Sequence, residues 1–215
     1  MNKAVIFDLD GTILDTLTDI AENINKMLEH FGYPQLSNRE IMQYIGNGAK
    51  NLVKRSIKVE LSEKELDEKL EYYNYIYTAA PSDNTCVFNG LDEVINQLKE
   101  RGYKTGILTN KPQMTTDKVC EKYLSNLKFD IIVGQREGVP IKPDPTSLNQ
   151  MLKDFNVEKQ NAYFVGDGET DALTAKNAGI NGISVLWGYR EKAQLESVGA
   201  TVFASSPKEL LKIIK

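Results

Sequence analysis

The segment AVIFDLDGT, residues 4–12, constrains this chain more than any other. Residues 4–7 are an uninterrupted apolar run, the pattern of a strand covered on both faces in a parallel sheet. Two aspartates follow, one residue apart, and then a glycine. They stand at the strand's exit, and open α/β sheets bind ligands in the crevice beyond the carboxyl ends of their strands. Asp8 and Asp10 share one side of an extended backbone, where two carboxylates repel unless a cation or a shared proton intervenes. A divalent ion answers that repulsion, and Mg²⁺ favours carboxylate, carbonyl and water oxygens in company with phosphate. Taken alone, the fragment equally suits an Asp-x-Asp-Gly turn capping the next helix.

Apolar, β-rich runs at 105–109, 130–133, 162–165, 183–187 and 201–204 predict five further strands with helical patterns between them. Leu91, Val94, Ile95 and Leu98 share one face of a helix that stops near Gly102, and Ser206-Pro207-Lys208-Glu209 reads as a capping box with proline at the first helical position. This alternation predicts an α/β fold: a Rossmann-like parallel sheet with helices on both faces. Residues 15–80 break it, because they carry only helical signals. Ile20, Ile24, Met27, Leu28 and Phe31 share a face, and Ser37-x-x-Glu40 and Ser62-x-x-Glu65 are capping boxes. The expected organisation is a discontinuous α/β core, 1–14 and 81–215, with an inserted all-helical cap domain, 15–80, that returns through Pro81. The charged run 60–71 is expected to be the solvated face of a cap helix.

A chain of 215 residues is long enough for this arrangement. Its net charge of −4 gives no electrostatic reason for a nucleic-acid or anionic-membrane partner. No stretch approaches the roughly 18 apolar residues of a membrane helix, and charge comes too early for a signal peptide. Cys86 and Cys120 lie far apart, with neither a disulfide framework nor zinc-site spacing. A cytoplasmic protein is expected; no feature of the sequence sets an oligomeric state. His30 is the only histidine, which argues against Ser-His-Asp or Cys-His catalysis and a His-rich metal site.

Three more strand exits carry polar groups. TGILT ends at Thr109 and runs into Asn110-Lys111-Pro112, offering a hydroxyl and backbone N–H groups. Lys142 lies in IKPDP, where prolines favour a rigid loop over a helix. AYFV ends in Gly166-Asp167-Gly168-Glu169-Thr170-Asp171, a second acidic cluster. Each has a bland reading as a helix cap, a surface lysine or a first-turn carboxylate. Together, at four exits of one sheet, they predict a convergent site for an anion and a metal.

These motifs, in this order and over the whole chain, resemble the haloacid dehalogenase superfamily of phosphatases, specifically its phosphoglycolate-phosphatase-like branch with a helical cap. Asp8-Leu9-Asp10-Gly11-Thr12 matches Asp-x-Asp-Gly-Thr, Thr109-Asn110 the Thr/Ser-Asn pair, Lys142 the lysine, and Gly166-Asp167 with Asp171 the Gly-Asp-x-x-x-Asp pattern. Gly168 stands where serine or threonine is frequent, and Asn89-Gly90 where Pro-Gly is common. The resemblance implies that Asp8 attacks phosphorus and that Asp10 protonates the leaving oxygen and then activates water. It also implies that Asp8, the Asp10 main-chain carbonyl and Asp167 hold Mg²⁺ with Asp171 close by, while Thr109, Lys142, Gly11 and Asn110 surround the phosphoryl group. In the cap, IGNGAKNL resembles a Gly-x-Gly segment of the branch. Gly46 and Gly48 expose N–H groups suited to a small anion, and Lys50 or Arg55 could add charge; an ordinary Asn-Gly turn is the alternative. Trp187-Gly188-Tyr189 is assigned to packing and loop geometry.

The expected activity is hydrolysis of a small phosphorylated metabolite, with 2-phosphoglycolate as the named substrate. Alternatives are a phosphomutase of the β-phosphoglucomutase type, which would interconvert sugar phosphates without releasing phosphate, a pyrophosphatase, and a non-catalytic phosphate-binding or interaction protein.

Overall fold

The computed structural model describes residues 2–80 and 83–215. In chain order, β1 (Lys3–Phe7) leads through a two-residue strand β2 (Leu14–Asp15) to four helices, α1 (Leu17–His30), α2 (Asn38–Met42), α3 (Ala49–Ile57) and α4 (Glu63–Ala79), and to the short strand β3 (Cys86–Val87). Strand and helix then alternate through α5 (Leu91–Glu100), β4 (Tyr103–Pro112), α6 (Gln113–Leu124), β5 (Ile131–Gln135), α7 (Thr146–Phe155), β6 (Ala162–Gly166), α8 (Glu169–Ala178), β7 (Asn181–Val185), α9 (Lys192–Ser197), β8 (Phe203–Ala204) and α10 (Pro207–Ile213).

Six strands form one sheet in the order β5-β4-β1-β6-β7-β8, every neighbouring pair parallel. β1 lies inside it, and the chain goes to β4 on one side and later to β6 on the other. That reversal opens a crevice at the carboxyl end of β1, where Asp8 begins. Val5 and Phe7 pack with Leu91, Ile95, Val119 and Leu210 on one face of the sheet. Ala4 and Ile6 pack with Leu148, Met151 and Ala175 on the other. Both faces are covered, which is why residues 4–7 are apolar without alternation.

Helices α1–α4 bury a core of their own around Ile24, Met27, Leu28, Ile41, Val53 and Tyr73. Both expected cap-helix boxes form: Ser37 and Glu40, and Ser62 and Glu65, exchange side-chain and backbone bonds at the starts of α2 and α4. The charged run 60–71 is largely solvated, but Lys69 is buried and its ammonium lies 4.4 Å from the Phe31 ring centroid. Among the described residues no helix is long and apolar enough to cross a membrane.

Several expectations need correction. Asp15 is not in a purely helical segment, because β2 pairs antiparallel with β3, Leu14 opposite Val87 and Asp15 opposite Cys86. β7 ends at Val185, leaving Trp187 in the following loop. Asp130 precedes β5 and accepts from the Thr105 N–H at 2.8 Å. Ser206 makes no side-chain cap; Glu209 instead accepts from the Ser205 N–H, while Pro207 does open α10. The expected return through Pro81 lies outside the described residues.

The return is anchored by Asp19 of α1, which is buried and accepts from the Asn84 N–H at 3.2 Å, the Asn84 amide at 3.1 Å and the Thr85 hydroxyl. Replacing Asp19 by alanine strands these donors, and a lost bond to a buried charged group costs ~1.5–3 kcal/mol. Asp19→Ala is therefore expected to lower the urea midpoint by a corresponding amount; an unchanged midpoint would show that Asp19 does not anchor the helical layer.

Candidate active site

The crevice gathers side chains from four strand exits. After β1 the main chain turns so that the N–H groups of Thr12, Ile13 and Leu14 all point to the Leu9 carbonyl, with Gly11 at φ +84°. Gly11 is required there twice over: the conformation is left-handed, and a Cβ would run into the Asp167 carboxylate. At β4 the register slips, because Leu108 pairs with Val133 and Pro112 with Gln135. Four residues of one strand thus span two of its neighbour, and this irregularity lifts Thr109, Asn110 and Lys111 out of the regular ladder into the crevice.

Lys142 is buried and sits between two carboxylates, its ammonium 2.8 Å from Asp8 and 2.6 Å from Asp171. Asp171 also accepts from the Gly168 N–H at 2.9 Å, so it caps the start of α8 despite glycine at the preceding cap position. Asp167 accepts from the Thr12 hydroxyl at 2.9 Å and the Tyr189 N–H at 2.8 Å. Burial, then Asp171 and Asp167, push the Asp8 carboxyl up to about 8 against the pull of Lys142. Burial and Asp171 likewise raise Asp167 to about 6. Burial alone would lower Lys142, but Asp171 and Asp8 outweigh it and hold the ammonium above its ordinary value.

Carboxylate oxygens of Asp8, Asp167 and Asp171 lie within 4.8 Å of one another. Asp8 Oδ1 is buried, and the group that faces it is the Lys142 ammonium, which it shares with Asp171. Three hard oxygen donors with a single ammonium between two of them fit a divalent ion such as Mg²⁺. The Asp10 carboxylate stands outside this cluster. It accepts from the Thr16 hydroxyl at 2.8 Å and is paired with Lys111 at 3.0 Å, so any part Asp10 takes in holding a metal falls to its main-chain carbonyl.

Over Asp8 and Asp10 lies a cavity of about 50 Å³, lined by cap residues including Ile20, Ile45, Gly46, Gly48, Tyr73 and Tyr77 and by Thr109, Asn110 and Lys111 from the core. Gly46 and Gly48 lie in this lining. Lys50 and Arg55 do not: Lys50 pairs at the surface with Glu63 and Asp67, Arg55 is exposed, and neither lines the cavity. The Asn110 amide is also committed elsewhere, donating to the Gly46 and Lys142 carbonyls and accepting from the Lys142 N–H at 2.8 Å. Lys111 escaped the sequence reading, although it adjoins Thr109-Asn110. It is buried, and its ammonium also lies 3.0 Å from the Tyr77 hydroxyl.

The chain belongs to the haloacid dehalogenase-like hydrolases, whose family model matches residues 5–185. It is a phosphatase of the phosphoglycolate-phosphatase-like branch. It is 28% identical to a phosphoglycolate phosphatase of Vibrio parahaemolyticus serotype O3:K6 over 99% of this chain and 96% of that protein. Identity to the phosphoglycolate phosphatase of Nitrosospira multiformis is 31%, with the same shares covered. A crystal structure of a predicted phosphoglycolate phosphatase from Haemophilus somnus superposes with a TM-score of 0.90 at 26% identity, over 100% of this chain and 98% of that one.

From the ordinary 3.8 up to about 8, the folded chain keeps a proton on Asp8 that the unfolded chain has released. Metal-free stability from this group therefore declines as pH rises through that window. In EDTA at pH 8, Asp8→Asn is expected to raise Tm by about 3 °C or more, the shift that each ~1 kcal/mol gives at this size. Adding Mg²⁺ should raise the wild-type Tm and move the variant much less. A variant less stable than wild type in EDTA, or a wild type indifferent to Mg²⁺, would contradict this account of the charge cluster.

Proposed function

We propose that this phosphatase is a Mg²⁺-dependent phosphomonoesterase that works through an aspartyl-phosphate on Asp8 and acts on a small phosphorylated acid, 2-phosphoglycolate being the named substrate. The observation that carries the substrate class is the cavity over Asp8: about 50 Å³, walled by Ile45, Leu52, Tyr73 and Tyr77, with Lys111 as the one cationic side chain in its lining. Its apolar and aromatic walls and single lysine suit a small leaving group bearing one negative charge. The phosphoglycolate phosphatases among its relatives support the same choice.

In the proposed reaction an Asp8 oxygen attacks phosphorus and the bond to the leaving oxygen breaks as Asp10 gives that oxygen a proton. Water then attacks the phosphorus of the aspartyl-phosphate and loses its proton to Asp10, which releases inorganic phosphate and restores both carboxyl groups. Lys142 and Thr109 stand where they offset charge on the equatorial oxygens. Thr16 and Lys111 hold the Asp10 carboxylate in one orientation. Asp8, Asp167 and the Asp10 carbonyl would hold Mg²⁺ with Asp171 beside them, and the ion would supply positive charge to offset that of the phosphoryl group.

Two kinetic outcomes are expected. Asp10→Asn should lose ~10²- to 10⁴-fold with alkyl phosphates, the usual worth of proton transfer, yet give a burst of nitrophenolate from p-nitrophenyl phosphate, whose leaving group needs little protonation. Equal losses on both substrates without a burst would assign Asp10 to the fold. Lys111→Met should reduce kcat/KM for 2-phosphoglycolate about tenfold more than for ethyl phosphate, because only the former brings a carboxylate to the lost charge. An equal reduction would remove Lys111 from substrate recognition.

A further inference from the structure

The loop that begins Trp187-Gly188-Tyr189 continues into Arg190, whose side chain is buried between core and cap. Its guanidinium donates to the Met42 carbonyl at 2.9 Å, the Ile45 carbonyl at 2.6 Å and, more distantly, the Gln43 carbonyl at 3.4 Å. Its Nε donates to Glu169 at 2.8 Å. The three carbonyls belong to the end of α2 and the turn after it, where a helix leaves acceptors without intrahelical partners. The next carbonyl, that of Gly46, accepts from the Asn110 amide at 2.9 Å. The turn that brings Ile45, Gly46 and Gly48 to the cavity is thus gripped from two sides, by Arg190 after β7 and by Asn110 in β4.

The other end of the same loop reaches the charge cluster. The Tyr189 N–H donates to Asp167, and Gly188 packs so closely that a Cβ would strike the Asp167 side chain. The Tyr189 hydroxyl accepts from the Thr16 N–H at 2.8 Å, at the start of α1, and Trp187 Nε1 donates to the Thr12 carbonyl at 3.1 Å. Four consecutive residues therefore connect the first catalytic loop, the Asp167 carboxylate, the entry to the helical layer and the cap turn.

We infer that Arg190 is a positioning residue for the reaction: by clamping residues 42–46 it sets where the cap turn lies over Asp8, and so the seat of the leaving group, without touching substrate. A planar guanidinium can serve several carbonyls and a carboxylate at once, whereas an ammonium of the same charge lacks that fork. The kinetic consequence rests on the phosphomonoesterase reading; the effect on the turn does not.

The test compares the full-length wild type with Arg190→Ala and Arg190→Lys by amide hydrogen exchange without metal and by steady-state kinetics with Mg²⁺ and 2-phosphoglycolate. Faster exchange is expected over residues 42–48 in both variants, with the amides of β1, β4 and β6 as protected as in wild type. KM should rise about tenfold or more with kcat within about threefold, since what is lost is a seat shared by ground and transition states. Inhibition by inorganic phosphate, which the core alone would hold, should be unchanged. Arg190→Lys should resemble Arg190→Ala. Unchanged exchange over 42–48, full restoration of KM by lysine, or a fall in kcat at constant KM would each overturn the inference. A wild type that releases no phosphate would instead overturn the substrate reading, with exchange still deciding the role of Arg190.

Discussion

Two buried carboxylates share one ammonium: Lys142 stands 2.8 Å from Asp8 and 2.6 Å from Asp171, and Asp167 adds a third negative group to the cluster. Such a grouping is costly away from water, since its negative charges outnumber its positive one and a buried charge needs a partner. The surrounding structure holds it together. Asp8 follows the fully buried β1, Lys142 is pinned by backbone bonds to Asn110, and Asp171 is tied to the first turn of α8. Burial and mutual repulsion raise the carboxyl groups of Asp8 and Asp167, in keeping with three negative groups around one ammonium.

The helical layer completes the site. Its turn at Gly46 and its tyrosines at 73 and 77 close over Asp8 and Asp10, while Lys111 joins the two layers through Asp10 and Tyr77. Asn110 and Arg190 extend that junction on either side. Asn110 shows how a side chain at a strand exit can serve the site through its neighbours: its amide bonds go to the loop of Lys142 and the turn of Gly46.

Much of this was legible in the sequence because burial leaves a strong pattern. The apolar run 4–7 announced a strand covered on both faces, and Ser37 with Glu40 and Ser62 with Glu65 announced two helix starts. The carboxylates and Lys142 were legible by their place at strand exits. β2 and β3 were not, since two residues carry no periodicity. Lys111 was hidden because its direction depends on a register slip between β4 and β5, which no local pattern records. Lys50 and Arg55 were misplaced against information that was present: Ala49, Leu52, Val53, Ser56 and Ile57 form the buried stripe of α3, which turns the charged positions between them outward. Ser206 had the composition of a cap, but Glu209 bonded the Ser205 N–H instead.

The central claim is that Asp8 becomes covalently phosphorylated, and trapping that bond tests it most directly. The full-length protein would be mixed with Mg²⁺ and 2-phosphoglycolate, quenched in acid during turnover, reduced with borohydride and mapped by peptide mass. An acyl-phosphate at Asp8 is reduced to homoserine, so homoserine at position 8, dependent on substrate and absent from Asp8→Asn, is the predicted result. Steady turnover with Asp8 recovered only as aspartate, from Asp10→Asn protein as well as wild type, would contradict the account.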